Sequence, residues 1–395
     1  MSSGATGRRW TVHTAVATLA MAASMWSPYA VSTLAPFLVG DLALSRAAVG
    51  GLVTATFAVA AAGSLVAGPV VDAVGANRGL LFLAAAVTLA LLASAATSSY
   101  GWLVAAIAVA GIGQALANPA TNVLLAGGVP PARRAVAIGV KQSGVQVASF
   151  LAGLALPVLA ATLGWRPALR WSALLPLALL VAVWWLVPRD GPLPTAAGPW
   201  WRWTRPSPWL ARLMAYSLLL GTALSATSTY LPLYAVQGLG MAAWLAGVVL
   251  AALGVSGLVA RVFWARLADR LSDVTLALSW LSAAAVGCVA LVWLAGPVWS
   301  GLVWIGAIGV GASAGAANAV SMLAVVRRGG ATGRMSGLVS LGFFSGFVIG
   351  PTTFGVAADH LGYGVAWVAA GVVFAASGVL AAGSRTASAQ PVEAR

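Results

Sequence analysis

Charge is what this chain of 395 residues has least of: 7% of its residues are Asp, Glu, Lys or Arg, against a hydrophobic share of 61%. The surface of a soluble protein needs several times that charge, so a water-soluble globular fold is excluded. A single cysteine, Cys288, rules out an internal disulfide and leaves the redox compartment unread; it reads as a small buried apolar residue. The two histidines, His13 and His360, stand alone at the ends of apolar runs. No metal-ligand cluster, nucleophile–base pair or phosphate-binding loop is present, so the chain is expected not to be an enzyme and to need no cofactor or metal. The net charge of +14 would suggest nucleic acid in a soluble protein. Here the basic residues lie in short loops between apolar runs, and no nucleic-acid partner is expected.

What is present is a succession of apolar runs long enough for helices that cross a bilayer, each needing roughly 20 residues. They are expected at 11–38, 47–71, 78–97, 101–126, 136–162, 168–187, 210–236, 241–266, 274–296, 299–325, 335–358 and 363–383. Arg8-Arg9 before the first run resembles an export signal, but the run continues past Pro36 and reads as an uncleaved first helix. The longest polar stretch, 188–209, holds Arg189, Asp190 and Trp200-Trp201-Arg202-Trp203, and reads as an interfacial linker. The expected organisation is an all-α integral membrane protein: a six-helix bundle at 1–187, a cytoplasmic linker at 188–209, and a second six-helix bundle with a short tail at 210–395. With the N-terminus inside, sixteen arginines fall on the cytoplasmic side and three, Arg46, Arg166 and Arg170, on the other. That bias predicts a multi-pass protein of the inner (cytoplasmic) membrane, both termini cytoplasmic and the bilayer its surroundings.

The two halves repeat. Ser32-Thr33-Leu34-Ala35-Pro36 is matched 196 residues later by Ser228-Thr229-Tyr230-Leu231-Pro232, Asp72 is matched by Asp269 after 197, and Gly139, Gly144 and Gly164 by Gly337, Gly342 and Gly362 after 198. An even number of spans per half makes these parallel repeats about an axis along the membrane normal. After the second run comes Gly68-Pro69-Val70-Val71-Asp72-Ala73-Val74-Gly75-Ala76-Asn77-Arg78, and in the second half Ala265-Arg266-Leu267-Ala268-Asp269-Arg270. This pattern resembles the loop signature of the major facilitator superfamily, with departures: Ala73 where a basic residue is usual, and Ala265 and Ser272 where glycines are. The resemblance implies twelve spans in two pseudo-symmetric six-helix bundles. It also implies a conformational latch formed by Gly68, Asp72, Gly75, Arg78, Asp269 and Arg270. The Gly342, Gly346 and Gly350 series is expected to be a close-packing face, with a bend at Gly350-Pro351.

Two cations lie inside spans, where a charge costs roughly 2.5–3.5 kcal/mol and usually faces a water-filled path. Lys141, in Gly139-Val140-Lys141-Gln142-Ser143-Gly144, is the only lysine beside twenty arginines, which suggests that a compact ammonium is required there. The alternative is a side chain snorkelling to the headgroups. Its Lys-Gln-Ser-Gly string resembles bacterial permeases for cyanate and small anions. Arg261 resembles the substrate-facing arginine of monocarboxylate and oxalate transporters, and its fork suits a carboxylate; the alternative is a structural arginine bound to a carbonyl or to Asp269. In the family's fold the two cations would make one positive pocket. Gln114, Asn118 and Asn122 form a polar stripe on the fourth span, Asn318 and Ser321 fall at the matching place in the tenth, and Trp26, Tyr29 and Thr33 share a face of the first. With Gln142 and Tyr230, these are the candidate substrate contacts, helix–helix hydrogen bonding being the bland alternative.

No acidic residue is expected within a span, since Asp41, Asp72, Asp269 and Asp359 fall at helix ends, and the fifth span lacks the Gly-Pro-x-x-Gly-Gly run of drug antiporters. The sequence therefore predicts a secondary transporter, monomeric, for a small anionic substrate such as a carboxylate, working by alternating access with protons as a co-substrate. The alternative is proton-coupled efflux of drugs or amphiphilic metabolites.

Overall fold

The computed structural model describes residues 3–189, 206–270, 274–328 and 332–383, and these are helices joined by short turns. In chain order they are α1 (Ser3–Leu42), α2 (Arg46–Val74), α3 (Ala76–Ala95), α4 (Tyr100–Ala108), α5 (Ala110–Gly128), α6 (Pro131–Leu163), α7 (Trp165–Ser172) and α8 (Leu174–Leu186). There follow α9 (Pro208–Gln237), α10 (Ala243–Arg270), α11 (Val274–Leu294), α12 (Leu302–Ala312), α13 (Ala314–Arg328), α14 (Thr332–His360) and α15 (Gly362–Gly383). Three spans are pairs that meet at one residue: α4 and α5 at Val109, α7 and α8 at Ala173, α12 and α13 at Ser313. Counted so, the described residues hold twelve spans. Eleven are long and apolar enough to cross a membrane. The remaining one, α1, is less apolar because it buries Ser24, Ser27, Ser32 and Thr33.

Several helices outrun their apolar cores. Asp41, Asp72, Asp269 and Asp359 all sit in the last turns of α1, α2, α10 and α14 rather than beyond them. Gly350-Pro351 lies inside the unbroken run of α14. The cluster Trp200-Trp201-Arg202-Trp203 falls outside the described residues. Side chains such as Trp185 (78% exposed) and Val379 (72%) point away from the protein, as expected where the solvent is hydrocarbon and every backbone group is satisfied within its own helix.

By contacts the chain forms two compact units. One gathers α1, α2 from Ala55 onward, and α3 to α8; the other gathers Ser45–Thr54, the opening turns of α2, with α9 to α15. The same contacts recur in both. In the first unit α1 packs most extensively on α6, and in the second α9 on α14. A Cβ on Gly144 of α6 would strike the backbone of α1 at Thr18. A Cβ on Gly342, Gly346 or Gly350 of α14 would strike the backbone of α9 at Met214, Leu218 and Thr222 respectively. Gly111 of α5 lies against α2 at Thr56, and Gly311 of α12 against α10 at Leu253. Gly164 and Gly362, at the 198-residue offset, both open a helix with positive φ (89° and 80°), which a side chain would strain.

Polar ties fasten helix ends. In the first unit the Asp41 carboxylate accepts from Trp165 Nε1 and Arg166 Nη1, both at 2.8 Å, and the Arg166 guanidinium lies 4.3 Å from the Trp165 ring centroid. In the second, Asp359 accepts from the backbone N–H groups of Arg46 (3.1 Å) and Ala47 (2.8 Å), and Ser45 Oγ accepts from Ala48 N (3.1 Å). Three amides at the start of α2 that have no helical acceptor are thereby satisfied. Tyr230 donates to Arg46 O at 2.6 Å, and its ring stacks on Phe354 at 4.7 Å.

Two expectations follow. Gly346→Leu forces α14 off α9 and is expected to lose about 1–3 kcal/mol, read as a lower melting midpoint in detergent, whereas Gly337→Ala, which meets open space, leaves the midpoint unchanged. Asp41 lies past the apolar run ending at residue 38. Its hydrogen bonds from the Trp165 indole and then from Arg166 hold its carboxyl below the ordinary value of 3.8. A group lowered on folding stabilises above its unfolded value, and that contribution disappears as pH falls through the folded value. The midpoint difference between wild type and Asp41→Asn is therefore expected to be constant above about pH 5 and to close in stronger acid.

Candidate functional site: a buried lysine in a polar seam

The first unit contains a lysine that water barely reaches. Pro131, with no N–H to waste, opens α6 at its first turn, and Lys141 follows three turns on with 1% of its surface exposed. Gly144 lets α6 lie directly on α1, which closes that side. On the other side stands α5. Lys141 Nζ donates to Thr121 Oγ1 at 2.8 Å, to Asn122 Oδ1 at 2.5 Å and to Asn118 Oδ1 at 3.5 Å. Gln142 Nε2 reaches the same Asn118 oxygen at 3.2 Å. Thr121 gives its own proton to Ala117 O, so its hydroxyl is left to accept from the lysine.

Those three acceptors match the three N–H bonds of an ammonium. The hydrogen-bond partners of Lys141 Nζ are neutral oxygens, so in its protonated form it is a buried charge that is hydrogen-bonded and not neutralised. Such a charge is far more costly than a paired one. An anion brought to this place is attracted by a cation that has lost most of its screening.

The polar seam continues along both helices. One turn before Asn118, Gln114 is 4% exposed; one turn after Gln142, Gln146 is 8% exposed. The Oε1 atoms of both have no hydrogen-bond partner. On α1, Tyr29 and Trp26 are also buried, and Trp26 Nε1 is unpartnered.

In the second unit Arg261 is partly buried in α10, and its Nε donates to Gly315 O of α13 at 3.2 Å, a carbonyl contact of the structural kind. Asn318, in the same helix as Gly315, has an unpartnered, buried Oδ1. Tyr230 is fully buried with its hydroxyl engaged by Arg46, so its polar atom is already used. In the loop signature Asp72 and Arg78 are exposed and Gly68 faces open space. Gly75 precedes α3 at a φ of 89°, and beside it Asn77 donates to the O of Val187, the residue that caps α8, at 2.9 Å. The side chains of Asp269 and Arg270 lie outside the described residues. Among the described residues no group of three or more His, Cys, Asp or Glu is placed to hold a metal.

The structure thus brings Lys141, Gln142, Asn118 and Asn122 together. The sequence reading missed Thr121 and Gln146. Both were within reach of it: Thr121 is three residues from Asn118 and Gln146 four from Gln142, so each lies on the helix face already singled out.

Two repeated helical bundles with a buried cation define a polytopic transporter scaffold. The chain belongs to the Major Facilitator Superfamily, whose sequence model matches residues 15–338; it is a multi-pass membrane transporter of small molecules and not an enzyme. The gallate transporter of Pseudomonas putida is 35% identical over 157 residues, which are 40% of this chain and 35% of that protein. The match therefore spans about a third of that relative's length. Among solved structures, the D-xylose–proton symporter superposes with a TM-score of 0.76 at 15% identity, covering 94% of this chain and 97% of the other. The nucleoside transporter NupG superposes at 0.72 and 15%, covering 95% and 99%. At such identity the likeness is one of fold.

Because the lysine and its acceptors satisfy one another, removing them is expected to be unequal. Asn122→Leu strands part of a buried ammonium and should destabilise by about 1–3 kcal/mol or more. Lys141→Met removes the charge itself and should cost less or stabilise. Melting midpoints of the two variants in detergent give the order.

Proposed function

We propose that the chain transports a small organic anion, a carboxylate, across the cytoplasmic membrane by alternating access, with a proton as co-substrate. The observation that carries this reading is the Lys141 ammonium, buried among Asn118, Thr121 and Asn122 with three neutral acceptors and no carboxylate partner. A transporter for cations would not place an uncompensated positive charge on its polar seam. Arg261 is the second embedded cation of the reading, with a fork suited to a carboxylate. Gln114, Gln142 and Tyr29 orient the substrate, and Asn118 and Asn122 pass from the ammonium to the anion as it arrives. The likeness to a transporter of gallate, an organic anion, supports the same class. Both termini face the cytoplasm, the chain acts as a monomer of two bundles, 1–187 and 210–395, joined by the linker at 188–209, and Gly68, Asp72, Gly75, Arg78, Asp269 and Arg270 form the latch.

The test is uptake of labelled small carboxylates into proteoliposomes, with and without an inward proton gradient. A charge-assisted hydrogen bond is worth about 1.5–3 kcal/mol, so Lys141→Ala is expected to slow uptake tenfold or more while the protein remains monodisperse. Unchanged uptake in the Lys141→Ala, Arg261→Ala double variant removes the anion reading. Drug resistance conferred by that double variant as well as by wild type points to efflux of amphiphiles instead.

A further inference from the structure

The amide oxygens of Gln114 and Gln146 are left unused by the fold. Each residue is more than nine-tenths buried, each has an amide oxygen with no hydrogen-bond partner, and they sit on two helices that pack against each other, α5 and α6. In hydrocarbon surroundings an unpaired amide has no water to turn to, and leucine or methionine would fill the same volume without that penalty. Two such groups on facing helices are harder to explain by packing than one.

The register of α5 and α6 says where they are. These consecutive spans run antiparallel, and Gln142 of α6 meets Asn118 of α5 beside the Lys141 ammonium. One turn on along α6 is Gln146, and one turn back along α5 is Gln114, so both amides fall at one level on one side of the lysine. The ammonium itself is held at the level of Thr121 and Asn122, seven and eight residues beyond Gln114, a helix rise of about 10–12 Å. The seam therefore offers a cation at one point and two unpartnered amide oxygens further along.

An amide presents an acceptor on one side and a donor on the other. A hydroxyl group both donates and accepts, so it satisfies either face. We infer that Gln114 and Gln146 form a hydroxyl-reading subsite, and that the transported carboxylate carries a hydroxyl group at the end away from its carboxylate. This rests on the reading of Lys141 as the anion site and narrows it to hydroxy acids. Selectivity follows from the same physics: a site built from buried polar groups rejects an analogue that lacks the matching hydroxyl, because the amides then stay unpaired.

The probes are labelled 4-hydroxybenzoate, whose hydroxyl lies at the end opposite its carboxylate, and benzoate, which lacks the hydroxyl; the readout is the ratio of their uptake rates in proteoliposomes of the full chain. Wild type is expected to favour 4-hydroxybenzoate by tenfold or more. Gln146→Met, close in length and apolar, is expected to bring the ratio near one by losing the hydroxylated acid while keeping benzoate. Lys141→Ala is expected to lose both acids together. A wild-type ratio near one overturns the subsite without need of any variant. So does a ratio unchanged in the folded Gln146→Met variant, an equal loss of both acids in it, or uptake confined to carboxylates without hydroxyl groups. Undiminished uptake of both acids by Lys141→Ala, together with a ratio that still depends on Gln146, overturns the anion site and leaves the hydroxyl subsite standing.

Discussion

Lipid gives two helices no hydrophobic reason to associate, since a hydrocarbon tail is as apolar as leucine, so contact must come from close fit and hydrogen bonding. The rest of this structure depends on that constraint. At Gly144, Gly342, Gly346 and Gly350 one helix lies on the bare backbone of another, and at those points dispersion contacts and backbone proximity replace the missing solvent drive. The consequence for function is direct. Because Gly144 sits three residues beyond Lys141 and seats α6 against α1, the lysine side chain is turned away from lipid and into the seam with α5. A residue with a side chain at 144 would open that joint and let water or lipid reach the ammonium.

Much of the scaffold was legible in the sequence, and for identifiable reasons. Apolar runs of spanning length, the arginine bias and the near-constant offset between halves are one-dimensional signals, and the glycine series of α14 marked a packing face that the structure places on α9. The helix ends were less legible. Asp41, Asp72 and Asp359 are polar and read as terminators, yet in each case the helix continues to the residue that geometry demands. Two of these helices, α2 and α14, stop just before the positive-φ glycines Gly75 and Gly362. The breaks at Val109, Ala173 and Ser313 left no signal, because alanine, valine and serine are ordinary helix residues there and only packing decides the kink. At the site, the stripe Gln114, Asn118 and Asn122 was readable from period alone. That Lys141 would bond three neutral acceptors, and that Gly315 would offer its carbonyl to Arg261, depends on which helix faces which, and no single-helix pattern contains it.

The two bundles share their packing but not their chemistry, and the difference can be followed residue by residue. Gly111 and Gly311 make equivalent contacts, and counting on from each pairs Asn118 with Asn318 and Thr121 with Ser321. The helix that faces them differs: at the 198-residue offset that relates Gly144 to Gly342, Lys141 becomes Val339, which is completely buried. α13 packs against α14 as α5 does against α6, so Asn318 looks toward a helix that has no ammonium to offer. Its amide oxygen is buried without a partner, whereas the oxygen of Asn118 receives both Lys141 and Gln142. The cation of the second bundle has moved to α10, where Arg261 holds the Gly315 carbonyl one turn from Asn318. A symmetric pair of lysines would have set two strong anion sites in repeat-equivalent places. On the proposed anion reading, one lysine held by neutral oxygens, and one arginine with part of its fork on a carbonyl, give the bundles unequal holds on a negative charge.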